Sequence, residues 1–234
     1  MKLWCVVPAG GAGRRMDAGR PKQYLELAGR PLLDHALDAL RALEPVAIAV
    51  VVAPEDPFVD GCALVPPVEV VRRGGAERAH SVLAGLEYLA PRAAAEDPVL
   101  VHDAARPCLT AALVRRLLGA AGTHPDGGLL AVPVSETVKR AAIDAPARVE
   151  ESCDRSHLWL AQTPQLFPFG RLRAALRAAL EGGRSVTDEA SAMEAAGARP
   201  LLVEGSVRNL KVTRPEDLAL ARYWLAETAA EPAG

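Results

Sequence analysis

Short, almost unbroken apolar runs recur along the chain, with longer mixed stretches between them. The runs are Leu3–Val7, Val46–Ala53, Val68–Val71, Val99–Val101, Leu129–Val134 and Leu201–Val203. Continuous apolar runs of this length suit strands buried on both faces, as in a parallel sheet. Helix-like segments alternate with them: Leu32–Leu43, Ala76–Leu89, Thr110–Ala121, Arg171–Leu180, Asp188–Ala196 and Pro215–Ala226. Thr110 and Asp188 read as N-caps, and Pro215 suits a first helical position ahead of Glu216 and Asp217. The alternation predicts an α/β fold: a doubly wound, mostly parallel sheet with right-handed crossovers. Ligands of such sheets bind at the carboxyl ends of the strands.

Residues 133–160 break the rhythm. Two β-like arms, Thr137–Ala141 and Arg148–Ser152, flank the turn-prone Asp144-Ala145-Pro146. An isolated two-stranded ribbon is marginal in water. The excursion must therefore lie against something, either its own domain or, more economically, a partner subunit. No internal repeat or low-complexity segment divides the rest. The reading is one domain over 1–234, with 133–160 as a dimerisation arm.

Composition narrows the function. A chain of 234 residues, half of them hydrophobic, can bury one sizeable core. A net charge of −2 argues against general nucleic-acid binding, so any anion site must be a local concentration of cations. No run approaches 18 apolar residues and no signal-peptide core is visible, which points to a cytoplasmic protein with no membrane partner. Cys5, Cys62, Cys108 and Cys153 lack metal-binding spacing, and Cys5 reads as a small core residue. The chain holds 23 arginines but only four lysines: Lys2, Lys22, Lys139 and Lys211. A lysine retained against that bias can mark a need for a compact ammonium.

The densest chemistry follows the first apolar run, in Pro8-Ala-Gly-Gly-Ala-Gly-Arg-Arg-Met-Asp-Ala-Gly-Arg-Pro-Lys22. Glycines let backbone N–H groups approach an anion, and Arg14, Arg15 and Lys22 supply charge where a phosphoryl group would develop it. A dinucleotide fingerprint fails because Met16 stands where its third glycine belongs, and no G-K-[ST] follows for a P-loop. Further along, Val99-Leu-Val-His-Asp-Ala-Ala-Arg-Pro107 sets His102, Asp103 and Arg106 just past a buried strand, where Mg²⁺ is commonly held against substrate phosphates. Gly74-Gly75-Ala76-Glu77-Arg78, with His80 and Ser81, forms a second loop into a helix start. Thr187-Asp188-Glu189 reads first as a helix start. Lys211, before the last helix, is either a phosphate partner or a solvated charge.

Taken in order, PAGGAGRRM…RPKQYLELAGRPLLDHAL, GGAERAHSVLAGL, VLVHDAARP, SETVKR, DRSHLWLAQTPQLF, VTDEASAMEAAG and NLKVTRPEDLALA resemble the 2-C-methyl-D-erythritol 4-phosphate cytidylyltransferases of the non-mevalonate isoprenoid pathway. The resemblance runs from Val6 to about Leu225. It implies a Rossmann-like nucleotidyltransferase that uses CTP and Mg²⁺ or another divalent cation. It implies that Ala9, Gly10, Gly11, Gly75, Ala76 and Ser81 contact CTP. Arg15 and Lys22 would stabilise the transition state, and Asp103 would help hold the metal. Lys211 and Arg155 would position methylerythritol phosphate, with Arg106, Thr137, Thr163 and Thr187 as further candidates for its pocket. It also implies a homodimer whose arms clasp, carrying Thr137 and Arg155 to the partner's site. Gly10 stands where the family often has alanine, Glu136 where aspartate is common and His157 where glycine is common. Ribitol-5-phosphate cytidylyltransferases share the loop, the His-Asp-Ala-x-Arg-Pro element and the late lysine. A catalytically silent nucleotide sensor is the alternative of another class.

Overall fold

The computed structural model describes residues 2–11, 19–143 and 147–230. Seven strands form one sheet: β1 (Trp4–Pro8), β4 (Ala47–Val51), β5 (Val68–Val71), β6 (Pro98–Val101), β7 (Gly128–Pro133), β10 (Trp159–Pro168) and β11 (Leu201–Glu204). Their order is β11-β7-β10-β6-β1-β4-β5. All pairings are parallel except those of β10, which runs antiparallel to both β6 and β7. Five of the helices are α1 (Leu32–Arg41), α2 (Arg78–Leu89), α3 (Ala111–Ala121), α4 (Phe169–Glu181) and α5 (Glu189–Ala195). A sixth, α6 (Pro215–Ala230), closes the described chain.

The strand alternation explains the two-sided packing. Cys5 and Val7 of β1 join a core with Leu33, Leu37 and Leu40 of α1 and Val114 and Leu117 of α3. Trp4 and Val6 face the other way, against Val82, Leu86 and Leu89 of α2 and Leu172 and Leu176 of α4. A strand with helices on both faces needs apolar side chains at every position, which is why β1 reads as an unbroken run. Cys5 is fully buried as a free thiol, and burial pushes it far above the usual thiol range.

Two caps set helix starts where the side chains suggested. Thr110 accepts a hydrogen bond from Leu113 N–H at 3.3 Å. Asp188 accepts from Ser191 N–H at 2.9 Å, and the Ser191 hydroxyl accepts in return from Asp188 N–H at 3.3 Å. β10 is the element the apolar pattern did not reveal. Its buried stretch carries Gln162, Thr163 and Gln165, polar residues that interrupt any hydrophobic run.

Two shorter pairings lie outside the main sheet. β2 (Glu26–Leu27) and β3 (Arg30–Pro31) pair antiparallel just before α1. β8 (Val138–Ala141) and β9 (Val149–Cys153) pair antiparallel as a two-stranded sheet of their own. The turn at 144–146 falls outside the described residues.

Candidate active site

Strand order fixes where a ligand can enter. From β1 the chain builds outward through β4 and β5, then returns to place β6 on the other side of β1. Connections diverge at that boundary and leave a crevice at the carboxyl ends. The segments after β1, β5 and β6 meet there around a cavity of about 550 Å³. Ala9, Gly10 and Gly11 from the first loop, Gly75, Ala76 and Ser81 from the second, and Lys22, Asp103 and Lys211 all line it.

The loop's beginning is pinned by hydrogen bonds. Ala9 N–H donates to Val51 O at 2.7 Å. The buried Gln23 amide donates to Ala9 O at 2.5 Å and to Gly11 O at 3.3 Å. Gly75 N–H donates to the Ser81 hydroxyl at 3.2 Å, which ties the second loop to the first turn of α2. Gly74 is required by closeness, since a Cβ there would stand 2.7 Å from Val52 O. At Gly10 a Cβ would meet nothing nearer than 3.5 Å, so an alanine fits that position.

Asp103 is the electrostatic centre. Arg78 Nε donates to its Oδ1 at 2.8 Å and Lys211 Nζ contacts its Oδ2 at 2.7 Å. Arg106 Nε stands 3.7 Å from Oδ2. Burial alone would raise the carboxyl pKa, but Arg78, Lys211 and Arg106 together outweigh it and hold the group well below the carboxylate range. Asp103 is thus a fixed negative charge ringed by cations on the cavity wall.

Behind it lies a buried polar network. Asp103 N–H donates to Thr163 Oγ1 at 3.0 Å, and the same hydroxyl lies 3.1 Å from His102 Nδ1. His102 Nε2 faces Arg106 O at 3.3 Å, an atom that only accepts. Nε2 therefore carries the proton, and the Thr163 hydroxyl donates to Nδ1. Burial lowers the His102 pKa to about 4, so the ring is neutral at pH 7. Arg106 donates to Asn209 O at 2.6 Å, and Asn209 Nδ2 donates to Thr163 O at 2.9 Å. The β10–β7 register shifts between Ala161 and Gln165, and this irregularity contains Gln162 and Thr163. Such a break re-aims side chains toward a site.

The expected residues that the structure describes fall into three groups. Ala9, Gly10, Gly11, Lys22, Gly75, Ala76, Ser81, Asp103 and Lys211 line one cavity. Arg106 and Thr163 stand behind Asp103 rather than in the cavity lining. Thr137 and Arg155 are exposed on either side of the β8–β9 pair, and Thr187 is exposed just before α5. Arg15 lies outside the described residues.

Sequence reasoning gave no role to Arg78, Glu189 or Gln23. Glu189 is wholly buried, and its carboxylate grips Arg78 at 2.6 and 3.0 Å. Its place beside the Asp188 cap made it look like an ordinary acid in a helix's first turn. Arg78 did carry a signal: a cation at a helix start runs against the macrodipole and needs a reason.

A cavity lined by Lys22, Lys211 and two glycine-containing loops lies at the switch point of a mostly parallel sheet, and the proteins it is similar to place the molecule among the nucleotidyltransferases. The family model of 2-C-methyl-D-erythritol 4-phosphate cytidylyltransferase matches residues 3–227. Curated relatives of that name are 51% identical over 96% of this chain and 96% of their own length in Ectopseudomonas mendocina. In Chromobacterium violaceum the figures are 52%, 94% and 96%. A crystal structure of 4-diphosphocytidyl-2C-methyl-D-erythritol synthase superposes with a TM-score of 0.83 at 41% identity, covering 96% of this chain and 98% of that one. The Thermus thermophilus cytidylyltransferase superposes at 0.78 with 32% identity, covering 97% of this chain and all of the other. The chain belongs to the 2-C-methyl-D-erythritol 4-phosphate cytidylyltransferase family.

Proposed function

We propose that the chain joins CTP to 2-C-methyl-D-erythritol 4-phosphate, giving 4-diphosphocytidyl-2-C-methyl-D-erythritol and pyrophosphate in isoprenoid precursor synthesis. An oxygen of the acceptor's phosphate attacks the α-phosphorus of CTP, forming a new P–O–P link, and the bond to pyrophosphate breaks. The attacking group is already anionic near pH 7, so the site needs no base to generate a nucleophile. It must offset repulsion between two anions and the charge that builds at phosphorus. One unit charge about 4 Å away contributes roughly 4 kcal/mol at an effective dielectric near 20. Several fixed cations are thus of the right order.

The observation that carries this reading is the Asp103 junction facing two glycine-containing loops across one cavity. Ala9–Gly11 and Gly75–Ser81 are suited to the nucleotide, with Lys22 and Arg15 serving the transition state. Lys211 and Arg155 are assigned to the acceptor phosphate. Arg106, Thr137, Thr163 and Thr187 are assigned to the acceptor pocket and its support.

Asp103 also fits a divalent cation. Among the described residues no group of three His, Cys, Asp or Glu side chains converges. Mg²⁺ bound to substrate phosphates needs only one or two carboxylates and keeps its waters. When bound, it would neutralise phosphate charge. Lys211 Nζ stands 2.7 Å from Asp103 Oδ2, so its ammonium lies beside the carboxylate that would hold the cation and lines the cavity a substrate phosphate would enter.

We also propose a homodimer in which β8 and β9 reach the neighbouring subunit. Ile143 at the ribbon's turn, Val149 on β9 and Leu160 on β10 are exposed by 98%, 63% and 59%, apolar surface that a partner would cover. The activity is tested by pyrophosphate release from CTP with methylerythritol phosphate, ribitol 5-phosphate or no acceptor. Release with the first alone is expected. Preference for ribitol 5-phosphate would reassign the acceptor, and no release with either would leave only nucleotide binding.

A further inference from the structure

Arg78 is the first residue of α2 and Glu189 the first of α5. Their side chains meet although 111 positions separate them. Arg78 gives Nη1 and Nη2 to the Glu189 carboxylate at 2.6 and 3.0 Å and Nε to Asp103 at 2.8 Å. All three guanidinium nitrogens are therefore committed to carboxylates. Glu189 is wholly buried, and α5 is anchored on both sides of it. Gln165 donates to the Asp188 carboxylate at 2.8 Å and accepts from Ala190 N–H at 2.8 Å. A cation at a helix start is electrostatically misplaced. Two carboxylates reverse that penalty only if they stay in place.

We propose that Arg78 and Glu189 form a positioning pair for the reaction: Glu189 fixes the guanidinium, and the guanidinium fixes the Asp103 carboxylate. This rests on the activity proposed above. Arg78 holds Oδ1, which turns Oδ2 toward Lys211. The same tie joins α5, which begins two residues after Thr187, to the nucleotide side of the cavity. Arg78 acts through Asp103 and is not assigned to a phosphate.

The test separates positioning from simple stability. Arg78→Gln alone strands a buried Glu189 charge and is expected to lower the melting temperature. Arg78→Gln with Glu189→Gln removes both charges and leaves two amides able to bond each other, so the double variant is expected to melt near the parent. Losing a partner that orients a functional carboxylate typically costs about 10- to 100-fold in activity or metal affinity. The double variant should therefore show kcat reduced at least tenfold and a raised Mg²⁺ activation midpoint, with KM for CTP within about threefold of the parent. Glu189→Gln should add nothing to the kcat loss once Arg78 is Gln, because it acts through that residue. Recovery of kcat together with the melting temperature in the double variant would overturn the proposal. So would a double variant that folds and keeps the parent's Mg²⁺ midpoint. If the unsubstituted protein released no pyrophosphate, the proposed activity would fail instead.

Discussion

Lys22 and Lys211 carry the same charge in different surroundings. Lys211 sits 2.7 Å from Asp103, whereas Lys22 donates to Val212 O at 3.1 Å. The first is restrained by a buried carboxylate, and the second lies beside the glycine loop. Lys22→Ala should therefore lower kcat by about 100-fold or more, the scale of losing one transition-state donor. Arg15→Ala should do the same. Steady-state turnover near normal in both would refute the assignment. Lys211→Ala should chiefly raise KM for the acceptor phosphate; an unchanged acceptor KM with kcat intact would remove Lys211 from that role. His102 offers a pH test. Its pKa is held to about 4 by burial, below the ordinary 6.5, so the unfolded chain binds a proton the native state refuses. The resulting stability is complete above pH 6.5 and declines as pH falls toward 4, by up to about 1.4 kcal/mol per pH unit. Asp103 acts in a lower window, because its depressed pKa costs stability only as pH drops below the usual 3.8. Urea unfolding across pH 4–7 should show a shallower slope for His102→Gln than for the parent. Equal slopes would mean the ring is not excluded from protonation. Of this network, Asp103, Lys22 and Lys211 were legible as residues because charge after an apolar strand, or a lysine in an arginine-rich chain, is unusual. Glu189 was not, and Arg78 showed only an unusual cation at a helix start, since a contact across 111 positions leaves no local trace of the pairing.

Elements were legible where one principle governed them. Val68–Val71 is a strand at the bounds its apolar run set, and the Asp188 cap begins α5. β10 escaped notice because its buried stretch serves the site: Gln162 binds Ser206 O at 2.8 Å, Thr163 holds Asp103 N–H, and Gln165 anchors α5. Those contacts replace the hydrophobic burial that a pattern can detect. The packing of α2 makes a sharper prediction. Gly85 lies where a Cβ would come within 2.7 Å of Val6 Cγ1 and 2.9 Å of Val51 Cγ2. Both valines lie on fully buried strands that cannot retreat. Gly85→Val should therefore destabilise the fold by about 1–3 kcal/mol, the usual scale of overpacking. It should also displace the start of α2 that carries Arg78 and Ser81, so turnover should fall more than the loss of folded fraction explains. Denaturant titration and turnover measured on the same preparation check both halves. Stability within error of the parent would show that α2 can lift from the sheet without cost.

At the scale of the whole molecule, the question is how Thr137 and Arg155 could serve a cavity they do not line. Both are exposed beside a two-stranded sheet separate from the main one, and Val149 on that sheet is exposed as well. A pair of strands with so little of its own core gains stability from a second surface. If two subunits exchange these ribbons, each cavity receives Arg155 from its neighbour and Lys22 from its own chain. The arrangement makes a quantitative prediction that a self-contained subunit does not. Lys22→Ala and Arg155→Ala should each be nearly inactive alone. Unfolded and refolded together in equal amounts, they should form mixed dimers in which one of the two cavities regains both residues. Random pairing makes half the dimers mixed with one competent site each, so about a quarter of the parent's activity should return. Sedimentation must show a dimer of about twice the 24.6 kDa chain mass for this to apply. Recovery in a dimeric mixture would assign Arg155 to the neighbouring subunit's cavity. A dimeric mixture without recovery would place Arg155 with its own chain's cavity, and a monomer at working concentration would remove the proposed exchange altogether.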